Sequence, residues 1–306
     1  MSITEPTRRT RGDLCPGVLR PWPASDGALV RLRIPGGRLS PESLTALHGV
    51  AARYGDDDVH VTTRANLQLR ALPIGPDGQL PSEVISAIAG TGLLPSPGHE
   101  LVRNVLVSPL TGLVGGRADL RSVTESLDSG LLADPALGGL PGRFLFVLDD
   151  GRGDLVERSC DLGFVALDRD TVQLRVGDAW SAVVPLAEAV DRLTALARDF
   201  VEARGAGPEA PWHVRELTAA SAAPLAAVST ADVRLPDPAG PLAYGPVPVP
   251  SDASAPSPAQ SPVTAGIEHV EAPGGVLDRG LVGRLTGAGV AELIVTPWRG
   301  VLVVPE

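Results

Sequence analysis

Ala28 to Leu72, ALVRLRIPGGRLSPESLTALHGVAARYGDDDVHVTTRANLQLRAL, is the stretch whose reading decides the fold. Side chains alternate along a strand with period two. In Leu29 to Ile34, Leu32 and Ile34 alternate with Arg31 and Arg33; in Thr62 to Arg70, Leu67 and Leu69 point one way and Arg64, Asn66, Gln68 and Arg70 the other. Between these strands, Ser40 reads as a helix N-cap with Pro41 in the first turn. Leu44, Leu47 and Ala51 follow at helical spacing, and Gly55 ends the run. Pro35-Gly36-Gly37 supplies the reversal from strand to helix. A single arginine on such a face is a solvated surface charge. Arg31, Arg33, Arg64 and Arg70 on neighbouring strands repel one another unless an anion or ligand carboxylates sit between them, so the sharper expectation is a polyanionic ligand.

The chain has 306 residues, 43% hydrophobic and 20% charged, an ordinary soluble composition with room for two or three domains. Its formal charge of −10 speaks against general nucleic-acid binding. No stretch has the apolar length of a membrane span or secretory signal, so the expectation is a cytoplasmic protein with no membrane partner. All 26 basic residues are arginine, which excludes lysine Schiff-base chemistry. Cys15 and Cys160 are distant, and no metal site is expected from them.

Working outward, residues 1–17 read as a flexible N-terminal arm and 18–95 as the first half-domain, closed by a helix over Pro81 to Ala89. Residues 96–220 form an α/β module. It contains a helix with Leu120, Val123, Leu127 and Leu131 on one face and a strand Phe144 to Leu148. A hairpin over Leu162 to Leu167 and Thr171 to Val176, a helix Pro185 to Ala203 and a strand-like ending at Trp212 to Arg215 complete it. Residues 221–262 read as a poorly ordered Pro/Ala/Ser-rich linker. Residues 263–306 repeat the opening theme: Pro273-Gly274-Gly275 matches Pro35-Gly36-Gly37 and Val295-Thr296 matches Val61-Thr62, with Trp298-Arg299 as the remnant of the basic face. The expected fold is therefore α+β, with two halves pairing in one sheet around an α/β module.

Arg31, Arg33, Pro35 to Gly37, Thr62, Thr63, Arg64, Gln68 and Leu69 resemble the ferredoxin-like half-domain of the nitrite and sulfite reductase superfamily. Val102-Arg103-Asn104-Val105 is similar to the stretch that enters its tetrapyrrole-binding domain. Leu140 to Leu145 reads Leu-Pro-Gly-Arg-Phe-Leu where sulfite reductases carry two substrate-holding lysines. Asp149-Asp150-Gly151 and Thr296-Pro297-Trp298-Arg299 resemble the precorrin-3B synthase branch of cobalamin biosynthesis.

The resemblance implies an oxidoreductase performing oxygen-dependent hydroxylation and lactone formation on precorrin-3A. It also implies a tetrapyrrole site with Arg31, Arg64, Arg70 and Arg103 on carboxylates and Gln68 and Asn104 as neutral partners. No catalytic residue is assigned. The alternatives are a sirohaem-dependent nitrite or sulfite reductase relative and a non-catalytic tetrapyrrole-binding protein. Family members use sirohaem or a tetrapyrrole substrate together with a 4Fe-4S cluster held by four cysteines that follow the second half. Two cysteines cannot hold that cluster, so the expectation includes a cluster-bearing partner chain or electron donor.

Overall fold

The computed structural model describes residues 13–218, 220–222, 225, 228–248 and 266–306. The first half runs β1 (Trp22–Ala24), β2 (Gly27–Leu32), a Pro35–Gly37 turn, β3 (Arg38–Leu39), α1 (Pro41–Tyr54), β4 (Val59–Val61), β5 (Leu67–Leu72) and α2 (Ser82–Ala89). Helix α1 starts where its chemistry requires, since Ser40 Oγ accepts from the Ser43 amide at 3.1 Å and Pro41 needs no partner for a missing N–H. Its Leu44, Leu47, Val50 and Ala51 are buried against the sheet.

The module contributes β6 (Val105–Val107), α3 (Arg121–Ala133), β7 (Phe146–Asp149), β8 (Leu162–Ala166), β9 (Thr171–Val176), β10 (Ala179–Pro185) and α4 (Ala189–Arg204). Its sheet has the order β10-β9-β8-β7-β6, with β6, β7 and β8 parallel and the remaining pairs antiparallel. Strands β7 and β8 are buried along their whole length, which is why they read as continuous apolar runs without alternation. Phe144, Phe146 and Phe200 pack within that core. The strand-like ending at Trp212 to Arg215 is instead a single helical turn, Val214–Glu216, closed by the Glu216 carboxylate on the Trp212 amide at 2.7 Å.

The second half comprises β11 (Gly245–Pro246), β12 (Glu268–Glu271), β13 (Val276–Leu277), α5 (Arg279–Leu285), β14 (Val290–Val295) and β15 (Gly300–Pro305). The two halves join edge to edge in an α+β fold, as expected, but through two sheets rather than one. Among the described residues the orders are β1-β2-β5-β4-β13 and β11-β12-β15-β14-β3, so each half lends the other a two-residue edge strand. Leu39 lies opposite Leu293 and Arg38 opposite Ile294; the mirrored pairs are Leu277 with Val59 and Val276 with His60. The cause is in the repeated Pro-Gly-Gly turns. Gly36 and Gly274 both have φ of 64°, a left-handed conformation that glycine adopts without steric cost, and each turn throws its short strand across the pseudo-two-fold.

The expected disordered linker is corrected over 228–248, while 249–262 lies outside the described residues. The segment 228–248 is fastened along the module by Ser229 N to Trp180 O at 2.8 Å and Asp232 N to Gln173 Oε1 at 2.8 Å. Arg234 pairs with Asp168 at 2.6 Å, and the Tyr244 hydroxyl donates to the Trp298 carbonyl. Proline removes only its own N–H, so the other residues of such a segment keep amides that can bond a sheet already formed, as Ser229 and Asp232 do. The N-terminal arm lies outside the described residues up to position 12; Leu14, Cys15 and Pro16 line the site described below.

Candidate functional site

A cleft of about 480 Å³ opens between the first half and the module, lined by Leu14, Cys15, Pro16, Trp22, Leu29, Arg31, Arg64, Arg143 and Trp212. Strand parity puts Arg31 there: on β2, Val30 and Leu32 enter the core and Arg31 takes the other face. Its Nη2 donates to Gln68 Oε1 at 3.2 Å, from the residue directly opposite on β5. Its Nε is buried without a hydrogen-bond partner.

Arg64 arrives by a different route from the one parity implied. Thr62 to Asn66 is a turn, with Ala65 at φ 55° and the Thr62 amide donating to Asn66 O at 2.9 Å. That turn swings Arg64 out of the sheet, and its Nη1 donates to the Arg143 carbonyl at 3.0 Å. Burial pulls the pKa of Arg31 and Arg64 below the usual guanidinium value, and the Arg143 charge pulls the same way.

The remaining expected ligands are placed elsewhere. Arg70 pairs with Asp26 at 3.3 Å on an exposed flank. Arg103 is spent on a bidentate pair with Asp128, at 2.6 and 2.7 Å, under the module surface. Asn104 is 2% exposed and fully engaged: it donates to Leu101 O at 3.2 Å and Gly142 O at 2.9 Å and accepts from Asn66 Nδ2 at 3.0 Å. The assignment of Arg103 and Asn104 as ligand-facing is therefore corrected, because both side chains have internal partners. Asp149, in the Asp149-Asp150-Gly151 loop, accepts from the amides of Gly151, Gly153 and Leu155 at 2.8 to 3.0 Å; it shapes the end of β7 and lies outside the cleft.

Sequence reasoning missed Arg143 and Trp212. Arg143 is half exposed, stacks at 5.1 Å over the Trp212 ring, and lies 3.9 Å from Asp13. The signal for Arg143 was its survival in Leu140 to Leu145; nothing local linked Trp212 to a site about seventy residues upstream. One buried carboxylate fastens both: Asp161 accepts from Leu145 N at 2.9 Å, from Val214 N at 2.9 Å, and contacts His213 Nδ1 at 3.1 Å.

The near wall is fixed by two buried charges. Arg33, 2% exposed, donates to Pro16 O at 2.6 Å and Arg31 O at 2.8 Å, and burial draws its pKa down to about 10. Glu100 accepts from Val18 N at 2.6 Å and Leu19 N at 3.0 Å, with burial raising its pKa. The Cys15 thiol is likewise pushed up by burial and then by Asp13.

Chemically, three guanidinium groups face an opening with apolar and aromatic walls, a donor set matched to an amphipathic anion bearing several carboxylates. The same donors fit a polycarboxylate tetrapyrrole. They do not fit an iron–sulfur cluster: Cys15 walls the cleft, whereas Cys160 is buried in the core and bonds Gly177 O at 3.6 Å. Among the described residues no group of three or more His, Cys, Asp or Glu side chains could hold a metal ion, and no helix is long and apolar enough to cross a membrane.

Comparison with known proteins agrees with this architecture. The nitrite/sulfite reductase ferredoxin-like half domain matches residues 23–75. The ferredoxin–nitrite reductase of Synechococcus elongatus is 33% identical over 149 residues, 46% of this chain and 28% of that protein. The ferredoxin–nitrite reductase of Leptolyngbya laminosa is 30% identical over 157 residues, 48% of this chain and 30% of that protein. A precorrin-3B synthase of Sinorhizobium sp is 39% identical over 62 residues, 20% of this chain and 14% of that protein. The solved structure of the Mycobacterium tuberculosis NirA protein superposes with a TM-score of 0.61 at 18% identity, covering 97% of this chain and 57% of that one, a likeness of fold. The chain thus matches less than a third of the length of these curated relatives. Residues 23–75 form a nitrite/sulfite reductase ferredoxin-like half domain, and the chain is similar to ferredoxin–nitrite reductases over about half of its own length.

Proposed function

We propose that this chain is the tetrapyrrole-binding part of a precorrin-3B synthase-like oxidoreductase, with the cleft taking precorrin-3A by its carboxylates. The observation that carries the reading is the convergence of Arg31, Arg64 and Arg143 on one cleft whose other walls are apolar. Arginine suits the task because its planar fork binds carboxylates bidentately and stays charged even when burial lowers its pKa. Leu145 stands where a second anion-holding lysine occurs in sulfite reductases, and it is buried, so the site favours a large polyacid over a small oxoanion. The short match to a precorrin-3B synthase supports the same choice. When bound, the macrocycle supplies the oxidisable carbon; the residues of this chain bind and orient it and keep water from its apolar face. The electron-transfer cluster of the family needs ligands beyond the two cysteines here, so a cluster-bearing chain or segment completes the enzyme in this reading.

The longer matches to two ferredoxin–nitrite reductases favour a second reading, a sirohaem-binding relative of those enzymes. Absorbance titrations of the full chain with sirohaem and with precorrin-3A separate the two. Tighter saturable binding of precorrin-3A supports the first reading and tighter binding of sirohaem the second. Saturable binding of neither overturns both.

A further inference from the structure

The cleft has two chemistries. Arg31, Arg64 and Arg143 make it cationic, while Trp22 and Trp212, two of only four tryptophans in the chain, supply aromatic wall. Trp22 sits on the edge strand β1 and remains 39% exposed although it lines the site. Trp212 carries a flat group on its face, since the Arg143 guanidinium lies over the ring at 5.1 Å. That stack is held from both sides. Asp161 fixes Leu145, two residues from Arg143, and Val214, two residues from Trp212, and Glu216 fixes the Trp212 amide.

We propose that Trp212 is a specificity-determining stacking residue, which makes the cleft select a flat, conjugated macrocycle among polycarboxylates; this rests on the tetrapyrrole reading above. Guanidinium groups recognise carboxylates and are indifferent to the body that carries them, so the arginines alone would accept an aliphatic polyacid as readily as a macrocycle. An indole face distinguishes the two, because it gains from contact with a π-surface and gains little from a solvated aliphatic chain. Arg143 links the functions. A carboxylate that draws its guanidinium forward uncovers the Trp212 face for the ring that bears the carboxylate, and the Arg143 side chain is half exposed.

The test uses the full chain and two probes, uroporphyrin III, a flat macrocycle with eight carboxylates, and 1,2,3,4-butanetetracarboxylate, which is aliphatic. Binding is measured for wild type, Trp212→Leu, Trp212→Phe, Arg64→Ala and Trp180→Leu. The last is the control, since Trp180 carries Arg175 at 5.4 Å in a similar stack outside the cleft. The expected result is a roughly five- to tenfold loss of uroporphyrin affinity in Trp212→Leu, recovery in Trp212→Phe, no change in Trp180→Leu, and unchanged butanetetracarboxylate binding in all three. If the leucine variant does not fold, Trp212→Phe carries the test through emission: the share of tryptophan fluorescence quenched by uroporphyrin should fall when Trp212 is removed, and an unchanged share overturns the proposal. Equal losses for both probes, or none, also overturn it. Should Arg64→Ala lose affinity while Trp212→Leu does not, the stacking role fails and the tetrapyrrole reading stands. If wild type binds no uroporphyrin, both fall.

Discussion

Asn66 in the first half donates its side-chain Nδ2 to the side-chain Oδ1 of Asn104 in the module at 3.0 Å, and both residues are buried. Asn66 also accepts from the Ile34 amide at 2.9 Å, and Asn104 donates to Gly142 O at 2.9 Å. The strand that carries Arg31, the turn that carries Arg64 and the loop that carries Arg143 are thus tied through one pair of amides. A buried amide that loses its partner costs about 1–3 kcal/mol. Asn66→Ala and Asn104→Ala should each lower stability by that order in urea denaturation. The double variant should lose less than the sum of the two, because both remove the same bond.

Ligand affinity should follow cleft geometry. Replacing Arg31, Arg64 or Arg143 with alanine should weaken tetrapyrrole binding by about 1.5–3 kcal/mol each, the range for a hydrogen bond to a charged group. Arg70→Ala should change it little, because Arg70 forms an exposed pair with Asp26. Isothermal titration of the four variants checks this, and an Arg70 effect equal to the others would show that the carboxylates spread beyond the cleft.

Arg103→Ala should behave as a stability variant. It strands Asp128 on a largely buried surface, a loss of about 3 kcal/mol by the pattern of broken buried pairs. At temperatures where it remains folded, its ligand affinity should equal that of wild type; a selective loss of affinity would restore Arg103 to the site.

The exchanged strands make Gly37 intolerant of any side chain. A Cβ built there would lie 2.1 Å from the Val295 carbonyl oxygen, and φ is 72°. Gly289 has a similar φ of 82° with nothing within 4 Å of such a Cβ. Gly289→Ala should cost about 1 kcal/mol from backbone strain alone, whereas Gly37→Ala should separate the β3 and β14 edges and cost several times more. Thermal melts of the two variants compare the terms directly.

Stability should depend on pH through Asp154. Burial beside Asp149 raises its carboxyl to about 7, above the ordinary 3.8, while Ser108 Oγ donates to it at 2.6 Å. A raised folded pKa means that the native state holds the proton more tightly than the unfolded chain. Stability from this group is therefore present below pH 4 and is lost as pH climbs to about 7. Asp154→Asn keeps an acceptor for Ser108 and removes the titration. It should exceed wild type in stability at pH 8, by on the order of 4 kcal/mol, and lose that advantage at pH 4. Parallel melting curves at the two pH values would contradict this.

The sequence by itself determined the local pieces. Ser40-Pro41 started α1, parity sent Arg31 away from the core, and two Pro-Gly-Gly turns announced a repeated half-domain, since caps, turns and strand faces depend on neighbours a few residues away. Arg64 was identified for the site, but through strand parity that the Thr62–Asn66 turn breaks, because a left-handed Ala65 carries no sequence mark. Only the tertiary structure decided which arginines remain free to bind. Asp128, 25 residues from Arg103, claims that side chain, while Trp212 and Asp161 bring Arg143 to the cleft from the opposite wall. The trade of edge strands was equally invisible: two residues of extended chain have no pattern of their own, and they become strands only against a ladder more than 200 residues away.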